Sequence, residues 1–163
     1  MGPKLRAALG VVTVSAALIG GLKMKEGRAL VDYWDNIPAK PVATACYGHT
    51  ETAKVGTVRT VAECDALLLQ DLNNIYVPIV LKYVKVPLTQ GQLDALTDFV
   101  YNLGEGNFRS STLLKHVNAG NHEAAALEFE KWYRVGGKDC RIPANKCGGI
   151  PKRRAWEKTL YES

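Results

Sequence analysis

The sequence has no internal repeat, no low-complexity tract and no interdomain linker, so nothing in it calls for more than one compact domain. None of the four cysteines lies in a CxxC pair and no histidine adjoins one, which argues against a zinc site. Zinc-finger, RRM and KH patterns are missing too, and with them the usual marks of a nucleic-acid reader. The longest uncharged run is sixteen residues, too short for a polytopic membrane protein. With 47% hydrophobic and 23% charged residues among 163, and 15 Gly and 7 Pro spread along the chain, a disordered tail and a collagen-like fibre are excluded as well. What is present is a globular chain with an excess of positive charge.

The net charge of +5 favours a polyanionic partner such as nucleic acid, anionic lipid or cell wall. It is concentrated between Lys131 and Lys158, where nine basic residues face only Asp139 and Glu157. That stretch is read either as a solvated face or as a surface turned toward substrate.

Near the start, Lys4 and Arg6 precede the run Ala7 to Leu22, which ends at Lys23 and Lys25. As a helix the run would span about 24 Å, short of a hydrocarbon core of about 30 Å, and it is rich in Ala, Gly and hydroxyl residues. It reads as a marginal export element, first of all an uncleaved anchor. The alternatives are a signal peptide cut near Val14-Ser15-Ala16 and a buried helix of the domain. Behind an export element, an even set of cysteines implies disulfides in an oxidising compartment. Of the three possible pairings, the short spacing from Cys140 to Cys147 suits a local staple, which leaves Cys46 for Cys64.

Local patterns predict a short helix from Lys23 to Val31 running into a Tyr-Trp-Asp turn, then loop and short strands from Asp35 to Thr50. Thr60 with Glu63 forms a capping box, so a long helix should begin near Val61 and be kinked or ended by Pro78. Thr89 with Gln92 repeats the box before a buried stripe that ends near Gly104. Further helices are expected at about Thr112 to Asn118, His122 to Tyr133 and Lys152 to Tyr161. The fold class is therefore α+β and mainly helical, a small mixed N-terminal lobe joined to a larger all-helical C-terminal lobe.

Two carboxyls near the front of this domain suit glycosidic hydrolysis, which needs a protonated acid for the leaving oxygen and a second carboxylate for water or the sugar cation. Glu26 lies among Met24, Leu30 and Gly20-Gly21-Leu22, an apolar setting that would raise a carboxyl pKa. Asp35 follows Tyr33 and Trp34 in an expected loop, where solvent would keep it ionised.

The residues around this pair form a longer pattern. The string Glu26-Gly27-x-x-Leu30-x-x-Tyr33-x-Asp35, then Thr44-x-x-Tyr47-Gly48-His49-Thr50, resembles the active-site signature of phage lysozymes of glycoside hydrolase family 24, the endolysins. Later blocks follow in order: Thr89-Gln90-x-Gln92-x-Asp94-Ala95-Leu96, Phe99-x-Tyr101-Asn102-x-Gly104, Ser111-Thr112-Leu113-Leu114, Trp132, Gly136-Gly137 and Gly149-Ile150-x-x-Arg153-Arg154-x-x-Glu157.

The resemblance implies a lysozyme-like fold and cleavage of the β-1,4 bond between N-acetylmuramic acid and N-acetylglucosamine. In that scheme Glu26 is the general acid, Asp35 orients or activates water, and Thr44 helps to hold it. Thr44 stands nine residues after Asp35, where the family usually has six, with Pro38 and Pro41 in the longer loop. Cys46 replaces a common Gly, and its pairing with Cys64 is familiar in exported members. His49 is placed beside the site, as a structural partner of Asp71. Asn102, Arg153 and Arg154 are expected at the sugar-peptide substrate, and Asp32 is a minor alternative to Asp35.

The whole reading is an endolysin of the signal-anchor-release type. Residues 1–22 form the anchor and 23–163 the catalytic domain, a monomer without cofactor or metal. It is held at the inner membrane facing the periplasm and then released to act on peptidoglycan, with no nucleic-acid partner. A lytic transglycosylase and a non-catalytic wall-binding or nucleic-acid-binding module are its rivals.

Overall fold

The structure, a computed structural model, describes residues 12–36 and 40–163. Lys4, Arg6, the first five residues of the apolar run and Pro38 lie outside the described residues. The first helix, α1 (Ala16–Lys25), starts where the Ser15 hydroxyl accepts the Leu18 N–H at 3.3 Å. It runs through Leu22 and Lys23 without a break and stops at Lys25, well before the expected end at Val31. Glu26 leaves it in an extended conformation, φ −84° and ψ 138°. Gly27 then gives the helix nothing to continue with, and the β-branched and aromatic residues that follow suit a pleated surface better.

These residues form β1 (Ala29–Asp35), antiparallel to β2 (Val42–Cys46), with Tyr33 opposite Thr44 and Asp35 opposite Val42. Asp35 is thus the last residue of a strand and not part of a loop. On the other edge of β1, Val31 bridges to Val58 and the Arg59 N–H donates to the Leu30 carbonyl at 2.8 Å. This small sheet and its flanking loops are the mixed lobe.

The capping box at Thr60 opens α2 (Val61–Asp71). A π-helical turn, Leu72–Tyr76, joins it to α3 (Val77–Tyr83), so the chain stays helical through Pro78. Within the π turn the Val77 N–H reaches back to the Leu72 carbonyl. The wider turn makes room for the proline ring and absorbs the N–H that proline lacks.

The second box, at Thr89, opens α4 (Gln90–Ser110). Gly104, at φ +83° and ψ 162°, breaks this helix at the expected end, but the chain turns helical again and buries Phe108. α5 (Thr112–Asn118) and α6 (His122–Phe129) follow. α6 stops four residues before the expected Tyr133, and Trp132 turns back so that its ring meets Phe99 at 5.3 Å. The C-terminal lobe is not all helical. β3 (Arg134–Val135) and β4 (Lys138–Asp139) make a tight hairpin across Gly136 and Gly137, both at positive φ. α7 (Gly149–Tyr161) closes the lobe.

Phe99 sits at the centre of the core, in edge contact with Phe108, Phe129 and Trp132. Leu18 and Leu22 of α1 are fully buried in the same core, so the last turns of the apolar run are part of the folded domain. Among the described residues no helix is long and apolar enough to cross a membrane. Two disulfides close the framework: Cys46–Cys64 ties β2 to α2, and Cys140–Cys147 closes the loop before α7.

Candidate active site

α1 delivers Glu26 to the edge of the helical lobe. Its N–H completes the helix by donating to Leu22 O at 2.8 Å, and its quarter-exposed carboxylate accepts a 2.5 Å bond from Arg153 Nη1 on α7. The other side of the same guanidinium grips Asp98 of α4, Nε to Oδ2 at 2.9 Å and Nη2 to Oδ1 at 2.7 Å. One arginine therefore links three helices at the point where Glu26 emerges. Burial works against the Arg153 charge, but Asp98 and then Glu26 outweigh it and hold its pKa above the ordinary arginine value. The setting of Glu26 is a fork of charged hydrogen bonds rather than the apolar pocket expected from its sequence neighbours.

Arg154, expected at the substrate, is fully buried and presents no surface in this structure. Its Nη2 donates to Asn102 Oδ1 at 2.7 Å and lies 2.8 Å from Glu157 Oε1, an ion pair without hydrogen-bond alignment. Asn102 is half-buried with its oxygen taken by Arg154. Arg153, 7% exposed, serves Glu26 and Asp98 first. Burial, reinforced by the neighbouring Asp98 charge, raises the Glu157 carboxyl well above the usual carboxylate range despite the pull of Arg154.

On the mixed lobe, the register of β1 and β2 puts Asp35 and Thr44 on one face of the hairpin as diagonal neighbours, about 7–8 Å apart by backbone geometry. The pairing of Tyr33 with Thr44 and of Asp35 with Val42 keeps Thr44 beside Asp35 although nine positions separate them in sequence. Thr44 Oγ1 donates to Val42 O at 3.2 Å, which leaves the oxygen's lone pairs as acceptors. Asp32, on the opposite face, is buried in a bidentate pair with Arg59 at 2.7 Å and accepts the Lys54 N–H. It cannot stand in for Asp35.

His49 has both ring nitrogens occupied. The Thr52 N–H donates to Nε2 at 3.1 Å, which fixes the proton on Nδ1, where Asp71 accepts it at 2.9–3.0 Å. This leaves no free lone pair for a base, as expected of a structural partner. Burial raises the Asp71 carboxyl, with the His49 hydrogen bond opposing.

Cys46 sits at φ +55°, a left-handed conformation that ordinarily favours glycine. Its bond to Cys64 anchors the strand end two residues beyond Thr44. The Tyr101 hydroxyl donates to the Tyr47 carbonyl and joins this turn to α4. Sequence reasoning missed Tyr101 and Asp98 as parts of the site; the available signal was a carboxylate inside the apolar stripe of α4. Among the described residues, no three His, Cys, Asp or Glu side chains converge as a metal would require.

Comparison with known proteins agrees with this layout. Residues 23–157 match the family model described as phage lysozyme. The SAR-endolysin of Enterobacteria phage PA-2 is 37% identical over 170 aligned residues, covering 98% of this chain and 96% of that protein. The endolysin of Acyrthosiphon pisum secondary endosymbiont phage 1 is 37% identical over 145 residues, covering 88% and 89%. Among solved structures, the muramidase domain of SpmX from Asticaccaulis excentricus superposes with a TM-score of 0.78 at 32% identity, covering 92% of this chain and 97% of that one. A P22 lysozyme mutant does so at 0.76 and 30%, covering 93% and 99%. The chain belongs to the phage lysozyme family.

Proposed function

We propose that this endolysin of the lysozyme family, a peptidoglycan-degrading enzyme, hydrolyses the β-1,4 bond between N-acetylmuramic acid and N-acetylglucosamine, with Glu26 as general acid and Asp35 and Thr44 handling the water. The observation that carries the reading is the Glu26 carboxylate, lifted out of α1 and oriented by the Arg153 fork. In the reaction the protonated form of Glu26 gives its proton to the leaving glycosidic oxygen, while Asp35 steadies the sugar cation and takes the proton of the attacking water; exchange with solvent then restores both groups. Thr44, its own proton committed to Val42 O, accepts a hydrogen bond from that water and holds it beside Asp35. The water oxygen joins the anomeric carbon, and the product carries a new reducing end.

The proposal extends to residues 1–22 as a weak inner-membrane anchor from which the monomeric enzyme is released to the periplasm. What supports it is the double use of α1: Leu18 and Leu22, suited to a bilayer, fill the protein core here. Because Glu26 caps that helix, docking α1 is also the step that brings Glu26 to Arg153. Relatives along nearly the whole chain carry the SAR-endolysin name. The test is lysis of outer-membrane-permeabilised Gram-negative cells followed by mass spectrometry of the glycan. Reducing ends are expected; 1,6-anhydro ends would overturn hydrolysis in favour of a transglycosylase.

A further inference from the structure

The basic stretch from Lys131 to Lys158 is not uniformly free. Five of its nine cations are spent on carboxylates: Lys131 on Glu128, Arg141 on Asp139, Arg153 on Glu26 and Asp98, Arg154 on Glu157, and Lys158 on Glu130. Lys146 and Lys152 have no ion-pair partner among the described residues, and both line one cavity of about 550 Å³. Lys25, from α1, lines it too, and so does Arg153. No carboxylate belongs to its lining, whereas Val135 and Ile150 give it apolar wall. The first turn of α7, which opens onto the cavity, holds no acidic residue either.

The loop that presents Lys146 is built firmly. The Cys140–Cys147 disulfide closes it, Asn145 Nδ2 donates to Asp139 O at 2.7 Å, and Lys146 itself is held at φ +54°, unfavourable for any residue but glycine. Lys25 stands with its ammonium 3.3 Å from the Trp156 ring centroid, and burial lowers its pKa below the ordinary lysine value. Its backbone neighbour is Glu26, and Arg153 belongs both to the cavity wall and to the Glu26 fork. The cavity therefore adjoins the proposed proton donor.

We infer that this cavity is an acidic-peptide subsite, in which Lys25, Lys146 and Lys152 bind carboxylates of the stem peptide that each N-acetylmuramic acid carries. The inference rests on the peptidoglycan reading above and deepens it. A volume of this size holds a few residues, and a stem peptide alternates small apolar side chains with carboxylates, which matches a wall of lysines, valine and isoleucine. Three ammonium groups from α1, the disulfide-closed loop and α7 offer partners to more than one carboxylate. The subsite would favour glycan that still bears its peptides and would hold the muramic-acid side of the scissile bond near Glu26.

The test uses the full-length protein and the double variant Lys146→Ala/Lys152→Ala, neither residue having been placed in the catalytic machinery. Calorimetry with an acidic stem tripeptide, its fully amidated form and inorganic phosphate measures binding; turbidity of permeabilised cells measures activity. Expected results are binding of the acidic tripeptide, weakening by roughly tenfold in the double variant, the size of two exposed charge pairs, and little binding of the amidated form. Equal binding of both peptides, no loss in the variant, or phosphate binding as tightly as the tripeptide would overturn the subsite. Wild-type protein that lyses cells but ignores the tripeptide refutes this inference alone. Wild-type protein that binds the tripeptide but cleaves no glycan refutes the proposed function instead.

Discussion

The two adjacent glycines of α1 should respond oppositely to substitution, although they are neighbours in the same apolar run. A Cβ at Gly21 would lie 2.1 Å from Trp156 Cζ2 and 2.7 Å from Cη2, well inside contact distance of a rigid ring. A Cβ at Gly20 meets nothing within 4 Å. Gly21→Ala forces Trp156 aside and disturbs the stacking of Lys25 on it, an overpacking that costs about 1–3 kcal/mol. Gly20→Ala removes backbone freedom from an exposed helical position and gains up to about 1 kcal/mol. For a domain of this size the melting temperature should fall by roughly 3–9 °C for Gly21→Ala and rise by about 2–4 °C for Gly20→Ala. Thermal unfolding of purified protein decides it. If α1 is first held in the inner membrane, as proposed, the same logic separates the bilayer from the protein core in cells. Leucine at either position makes the segment more apolar and favours the bilayer, but only Gly21→Leu also obstructs the folded state, so its delay of lysis should be the longer. Equal melting temperatures for the two alanine variants would refute the close packing of α1 on α7.

Other substitutions probe the rest of the framework. Asp32→Asn leaves the Arg59 charge half-buried and poorly paired, so stability measured in urea should drop by about 3 kcal/mol, while the folded fraction keeps its activity. The Asp32 carboxyl sits below its ordinary pKa chiefly through the Arg59 hydrogen bonds, so its contribution is present above pH 3.8 and is lost as pH falls through the lower folded value. Glu157 behaves in the opposite sense. Its folded-state pKa is raised by burial, so stability should decline as pH rises above the ordinary glutamate value of 4.5, and Glu157→Gln should flatten that slope in urea titrations. The extended backbone before α1 is held by side chains: Asn73 accepts the Val14 N–H at 3.2 Å, Asp94 the Ser15 N–H at 3.0 Å, and Gln90 donates to Thr13 O at 3.1 Å. Asn73→Ala/Asp94→Ala should leave more full-length protein in the membrane fraction and delay lysis.

Features written in adjacent residues were legible in the sequence. Both capping boxes need only a hydroxyl and a carboxyl or amide three residues apart, and both open helices where expected. The His49–Asp71 pair and the two disulfides were also anticipated, and the structure contains them. The boundary between α1 and β1 was not legible, because Lys23 to Val31 has acceptable helical composition and only the pairing of Tyr33 with Thr44 recruits its end into a sheet. Nor could sequence separate Arg153 from Arg154. Adjacent on one helix, they project about 100° apart, one toward Glu26, 127 residues away, and the other into the core. Neighbouring apolar residues suggested a dry pocket for Glu26, whereas its real surroundings come from α4 and α7.

The claim that most needs testing is that Glu26 supplies the proton. Glu26→Gln keeps the side chain's shape and its oxygen toward Arg153 but cannot donate as an acid. Release of new reducing ends from purified peptidoglycan, measured at matched concentrations of folded protein, should fall by at least about a hundredfold while the thermal transition stays cooperative. Reducing ends released at the wild-type rate by the folded variant would contradict the account.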